Sequence, residues 1–203
     1  MAKNYHVYRD KQIALAIEIG AAITRWVNLE GGIIRLCAIA LGRDMRATAH
    51  LLSNFKTFAL VLDFTSSAVK LKITDTRDQK LWNSLTEFIR ELSGDRNYIA
   101  HAGMVAHSDS DPNSADWAEV LPFVGPTQFH PFVQLDRRDP MDVAEVSEIV
   151  QDIQHAIEKL SEFTRDLEQG GPWPDRFRAR VDRRRPPIAV RRAKNQKDDS
   201  DPP

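Results

Sequence analysis

The chain has 203 residues, of which 42% are hydrophobic and 28% charged, enough for one ordinary buried core with some chain left over. Its 28 Lys+Arg and 29 Asp+Glu give a formal net charge of -1, which excludes a uniformly basic nucleic-acid binder and an acidic disordered chain. The near-neutrality combines unequal parts: residues 171–203 hold eight Arg and two Lys against five Asp, so an acidic body carries a basic tail. Cys37 is the only cysteine; no disulfide framework or thiolate metal site is expected, and the chain reads as cytoplasmic. The run Ile33 to Leu41, interrupted by Arg35, falls short of the roughly 20 residues a membrane helix needs. Met1 to Asp10 lacks a signal-peptide apolar core, so no membrane association is expected.

From Lys11 to Leu41 the positions Ile13, Ala16, Ile17, Ile23 and Val27 recur at helical spacing, and Leu15, Ile19, Ala22 and Trp26 form a second stripe. A helix apolar on two sides reads as buried on two sides, either within the core or between core and partner. Gly31-Gly32 is expected to break or kink it, at about 2 kcal/mol relative to two alanines. Asp44 can cap a second helix running through Met45, Ala49, Leu52, Phe55, Phe58 and Leu62. Asp75 or Thr76 begins a third, with Leu81, Leu85, Phe88, Ile89 and Leu92 on one stripe, which Ser93-Gly94 should stop. Asp95 then caps a new short helix.

Residues 107–117 read as a loop by composition. The stretch Trp117 to Leu135 is compatible with a small hairpin around Gly125-Pro126, with Pro122 and Pro131 limiting it to edge positions. Asp142 to Gln169 is the cleanest helix, with Val143, Val146, Ile149, Val150, Ile153, Ile157, Leu160, Phe163 and Leu167 advancing by threes and fours. Gly170-Gly171-Pro172 ends it. The expected fold is therefore all-α, a bundle of four to five helices over residues 1–170, followed by a disordered basic Arg/Pro-rich tail over 171–203.

The segment Asp95-Arg96-Asn97-Tyr98-Ile99-Ala100-His101 holds the candidate chemistry. Under an Asp95 cap, Arg96 and Asn97 fall in a first helical turn, where free N–H groups and the positive dipole end favour an anion such as phosphate. Asn97 and His101 are four apart and share a face. Arg96 is about 140° away from His101 around the helix, so only its long side chain could bring its head to the same place. A guanidinium that grips phosphate beside an imidazole that titrates near neutrality meets the needs of metal-free RNA cleavage. One histidine cannot comfortably serve as both base and acid, so a symmetric dimer is the economical arrangement. In the competing reading, Arg96 pairs with a carboxylate such as Asp95 or Glu91, and His101 is a hydrogen-bonded packing residue.

Arg96-Asn97-Tyr98-Ile99-Ala100-His101 resembles the Arg-x4-His signature of the HEPN superfamily, in which a polar residue, often Asn, commonly follows the Arg. The Ala-His-Ala-Gly continuation, the long apolar helix before it and the amphipathic helix after it are similar to that superfamily's small bundle, over Lys11 to roughly Gln169. The resemblance implies a homodimeric, metal-independent endoribonuclease of toxin or defence type, sometimes accompanied by an antitoxin or a nucleotidyltransferase-like partner. Arg96 and His101 would be catalytic and Asn97 supportive. It equally takes in non-catalytic members that bind nucleotides or protein partners.

Elsewhere the sequence offers less. His6, His50, His107, His130 and His155 lack metal-site spacing, and no cofactor is expected, since neither Gly31-Gly32 nor Gly170-Gly171 matches a phosphate loop. Cys37 and Ser66-Ser67 have no nucleophile context. Glu18 and Glu30, on an apolar helix, must find water or a partner. Trp82 reads as core or interface, while Trp117, Phe123, Phe129 and Phe132 read as the cover of an open bundle end or a recognition lip. The tail arginines could attract phosphate or serve as a partner-binding appendage.

Overall fold

The computed structural model describes residues 4–101, 103–107, 120–125 and 140–169. They form an all-α bundle with one small hairpin: α1 (Tyr5–Leu41), α2 (Met45–Leu52), α3 (Phe58–Lys72), α4 (Thr76–His101), β1 (Gly103–His107), β2 (Leu121–Gly125) and α5 (Val143–Gln169). The tail expected over 171–203 lies outside the described residues, as do Trp117, Phe129, His130 and Phe132. No helix among the described residues is long and apolar enough to cross a membrane.

The long helix α1 runs unbroken through Gly31-Gly32, against the expectation of a break there. Leu29, Ile33 and Leu36 on either side of the pair are fully buried, and burying such side chains stabilises by roughly 1.5–3 kcal/mol each, more than the glycines cost. Gly32 also has a packing role: a Cβ there would sit 2.7 Å from Leu160 Cδ2, so α1 and α5 meet closely at this point. Gly42 ends α1 in the left-handed conformation that glycine tolerates, with φ 61° and its N–H returned to the last turn.

Asp44 caps α2 as expected, its Oδ1 accepting from the Arg46 and Ala47 N–H groups at 2.9 and 3.0 Å. The single helix expected from Met45 through Leu62 is instead two. The side chains of Ser53 and Asn54 hydrogen-bond the carbonyls of His50 and Leu51, closing α2. Thr57 then caps α3 by accepting from the Leu60 N–H at 3.3 Å. Asp75 Oδ1 accepts from the Arg77 N–H at 2.7 Å and starts α4. At the other end of the chain Asp142 and Glu145 form a reciprocal capping box, each side chain accepting from the other's backbone N–H at 2.9–3.0 Å, so α5 begins where its sequence pattern places it.

Neighbouring contacts fix the directions. Trp82 Nε1 donates to Ser66 Oγ at 2.9 Å across the α3–α4 hairpin. Trp82 stacks on Phe163 at 4.8 Å while Phe88 meets His155 at 6.4 Å, which makes α4 and α5 antiparallel. Gly32 against Leu160 and Arg35 against Glu168 make α1 and α5 parallel. One continuous core links the four long helices, with Trp26, Trp82 and Phe163 its largest fully buried side chains.

A hairpin is formed by β1 and β2, antiparallel from Gly103 opposite Gly125 to His107 opposite Leu121, while the second arm of the one expected around Gly125-Pro126 lies outside the described residues. Val124 also exchanges two 2.8 Å hydrogen bonds with Met141, tying the strand to the entry of α5. Pro122 occupies β2 opposite Ala106, in a sheet of two strands among the described residues.

Candidate functional site

Helix α4 carries all three candidate residues, but not in the way its sequence led one to expect. Ser93-Gly94 does not stop it, and Asp95 lies inside the helix, not at a helix start. Tyr98 and Ile99 continue the buried stripe of Ile89 and Leu92, and their burial outweighs the roughly 1 kcal/mol that one helical glycine costs. Arg96 and Asn97 therefore lie inside the helix, and His101 is its last residue. The helix end here presents carbonyl groups and the negative end of the dipole. The anion site expected at a helix start is absent, and positive charge at this place has to come from side chains.

Two of the three side chains are brought into contact. Asn97 and His101 are both exposed, four residues apart on one face. Arg96 is half-buried and donates from Nη1 to Asn97 Oδ1 at 3.1 Å. Its guanidinium lies over the ring of Trp26, 6.0 Å from the centroid, at the distance of a cation–π contact. Its Nε is buried and has no hydrogen-bond partner. Among the described residues no carboxylate pairs with this guanidinium: the ion pairs seen involve Arg35, Arg90, Lys159 and Arg165. Arg96 is thus held on an aromatic platform with hydrogen-bonding capacity unused.

That platform is the element sequence reasoning missed. Trp26 is 1% exposed; its ring packs edge-on against Phe58 at 4.8 Å, and its Nε1 donates to Glu30 Oε1 at 2.6 Å. Glu30 therefore has the partner that a carboxylate on an apolar helix requires, one turn along the same helix. The Trp-x3-Glu spacing could have signalled this bond, but nothing in the sequence connects Trp26 with Arg96, seventy positions away. Glu18 is half-buried on α1.

Remaining candidates separate cleanly. Trp82 is core, at 0% exposure. Phe123 is half-buried on β2. His155 is exposed and touches Phe88, and His6 and His50 are exposed on separate helices. No cluster of three metal-ligating side chains occurs among the described residues. Cys37 is buried, and burial pushes its thiol up from the ordinary value, which disfavours the thiolate. A separate open cavity of about 460 Å³ lies between α1, α2 and α5, beside Gly31, Arg35, Met45 and Arg165. Its two cations are already engaged, Arg35 with Glu168 at 3.4 Å and Arg165 with Asp166 at 3.8 Å.

No family model, curated protein or solved structure matches the chain.

Proposed function

We propose that Arg96, Asn97 and His101 form the working site of a metal-independent, HEPN-type endoribonuclease of toxin or defence kind that acts as a homodimer. The observation that carries this reading is the state of Arg96: its one hydrogen bond among the described residues goes to Asn97, its Nε is unused, and an exposed His101 lies on the next turn. The competing reading, an arginine neutralised by Asp95 or Glu91 beside a packing histidine, does not describe that geometry.

The chemistry follows from the groups present. A neutral imidazole takes the proton of a ribose 2′-OH as the 2′-oxygen bonds to the adjacent phosphorus. The bond from phosphorus to the 5′-oxygen breaks, and an imidazolium returns a proton to that oxygen, leaving a 2′,3′-cyclic phosphate and a 5′-hydroxyl. Base and acid are the two His101 side chains of a dimer, since one imidazole cannot hold both protonation states at once. Arg96 offers planar donors to the phosphorane oxygens, where charge accumulates in the transition state. Asn97 holds the guanidinium from one side. RNA is the substrate partner in this reading, and an antitoxin or nucleotidyltransferase-like protein is the kind of partner that would restrain the activity.

The test is RNA cleavage in EDTA by the wild type, His101→Ala and Arg96→Lys. His101 is exposed, so its replacement should leave the fold intact while cutting the rate by about 10²–10⁴-fold, the usual contribution of a general acid–base group. Wild-type protein that leaves RNA untouched, or an alanine variant as fast as wild type, ends the proposal.

A second reading, a non-catalytic helical module that binds a nucleotide or a protein partner, has one specific observation in its favour. Ile13, Ile17 and Val27 on the outer face of α1 are 48%, 63% and 58% exposed.

A further inference from the structure

The outer face of α1 is the least explained surface in the molecule. The sequence marks it as one of two apolar stripes on this helix, and the core uses only the other: Leu15, Ala22, Trp26, Leu29 and Ile33 are buried. The outer stripe comprises Ile13, Ala16, Ile17, Gly20, Ile23, Thr24 and Val27, with no Asp, Glu, Lys or Arg among them. Its three large exposed members alone present on the order of 300 Å² of apolar surface, the size of patch that on a monomer usually has a use. A second observation is Gly20, exposed in mid-helix. A glycine there costs about 1 kcal/mol relative to alanine, yet a Cβ at Gly20 would meet nothing within 4 Å. Nothing inside the described chain therefore accounts for its missing side chain, whereas a close approach from outside would.

We infer that this face binds a second copy of the same chain, with two α1 helices antiparallel across a two-fold axis beside Gly20. The reason for choosing a second copy over another protein is that the stripe is complementary to itself about that residue. On an ideal helix, the axis sets Ile13 opposite the second copy's Val27, Ile17 opposite its Thr24, and Ala16 opposite its Ile23, with the two Gly20 backbones meeting at the centre. Large residues face small ones on both sides of the axis, which lets the helices interdigitate, and every contact occurs twice, as an isologous interface requires. With both copies and the flanking residues counted, such a contact reaches on the order of 1,000 Å², the lower bound of a specific interface. The dimer should accordingly dissociate on dilution.

This inference does not depend on the catalytic reading. Arg96 packs over Trp26, on the buried side of α1, so a contact centred on Gly20 does not draw on the Arg96 guanidinium. A wild-type mass that Ile17→Asp and Gly20→Leu leave unchanged ends this inference alone, whereas RNA left uncut by an associated wild type ends the catalytic proposal alone.

Light scattering on the full chain over a dilution series tests it. Ile17→Asp should halve the mass of the associated species and raise the dissociation constant by about a hundredfold or more, because two copies of a charge are forced into an apolar contact. Gly20→Leu should weaken association while raising the melting temperature of the dissociated chain, since leucine is the better helix former; this excludes misfolding as the cause of dissociation. Gly20→Cys should form a reducible cross-linked dimer under mild oxidation, which Cys37, being buried, does not form by itself. A monomeric wild type overturns the inference and assigns the face to another occupant, residues 171–203 or a different protein. So does a wild-type mass that Ile17→Asp and Gly20→Leu both leave unchanged.

Discussion

Helices α1 and α5 lie parallel and in contact, yet their sequences are unequal guides to what they do. The apolar residues of α5 fall on one stripe, and nearly all of that stripe faces the core: Val146, Ile149, Val150, Ile153, Leu160 and Phe163 are buried, Ile157 and Leu167 are half-buried against them, and Val143 at the first turn is exposed at 39%. The two stripes of α1 are equally apolar on paper, but the bundle covers only the one through Leu15, Ala22 and Trp26. A single stripe identifies a core face by elimination. Two stripes state only that two surfaces need cover, and the positions of the other helices decide which one the fold supplies.

The largest expected effect tests whether the two stripes of α1 differ as the structure says. Trp26→Ala empties a fully buried site against Phe58 and removes the platform under Arg96, a loss of about 3–5 kcal/mol. In a chain of this size that lowers the melting temperature by on the order of 10 °C. Ile17→Ala on the outer stripe should move the stability of the dissociated chain by about 0.5 kcal/mol or less. Thermal denaturation of both variants at a concentration where the chain is monomeric makes the comparison, and equal losses would mean that the outer face is packed by part of this same chain.

The same contrast explains how much was legible beforehand. The all-α class, the extent of α5 from Asp142, the cap at Asp44, the start of α4 at Asp75 or Thr76, and the face shared by Asn97 and His101 all rest on spacings of two to four residues, which local helix geometry converts directly into contacts. What the sequence misplaced depended on distant partners. Gly31-Gly32 and Ser93-Gly94 carry local breaking signals, but each is overruled by burial on either side, of Leu29 and Ile33 in α1 and of Leu92 and Ile99 in α4. The opposite error occurs between Leu52 and Phe58, where apolar spacing continues but the side chains of Ser53, Asn54 and Thr57 capture backbone groups and divide the helix. At the candidate site, local spacing placed the imidazole and the amide correctly. The setting of Arg96 was invisible because it is a tertiary contact with Trp26.

A medium-sized effect sharpens the account of where α1 and α5 touch. Gly32→Val would place a branched side chain where a single Cβ already comes within 2.7 Å of Leu160 Cδ2. Leu160 is itself 1% exposed and packed into the core, so relief comes from a strained Leu160 rotamer or from local separation of α1 and α5. The expected cost is about 1–3 kcal/mol, as for other overpacked cores, measured as a lowered midpoint in urea. A neutral result would show that the two helices are not held at this spacing.

The smallest effect has the opposite sign and comes from the adjacent residue. Gly31 belongs to the same helix and carries the same propensity penalty, but a Cβ added there meets nothing within 4 Å and projects toward the open cavity beside Arg35. Gly31→Ala should therefore keep the propensity gain without a steric charge against it, stabilising the chain by up to about 1 kcal/mol. In melting temperature this is an increase of roughly 2–4 °C. Because the two glycines are neighbours in one helix, and valine as well as alanine is a better helix former than glycine, propensity favours both substitutions and the opposite signs isolate the contact with Leu160. If Gly31→Ala proved as destabilising as Gly32→Val, the penalty would belong to the helix backbone at this point rather than to α5. The pair would then act as the local break that its sequence implies, held straight only by the packing around it.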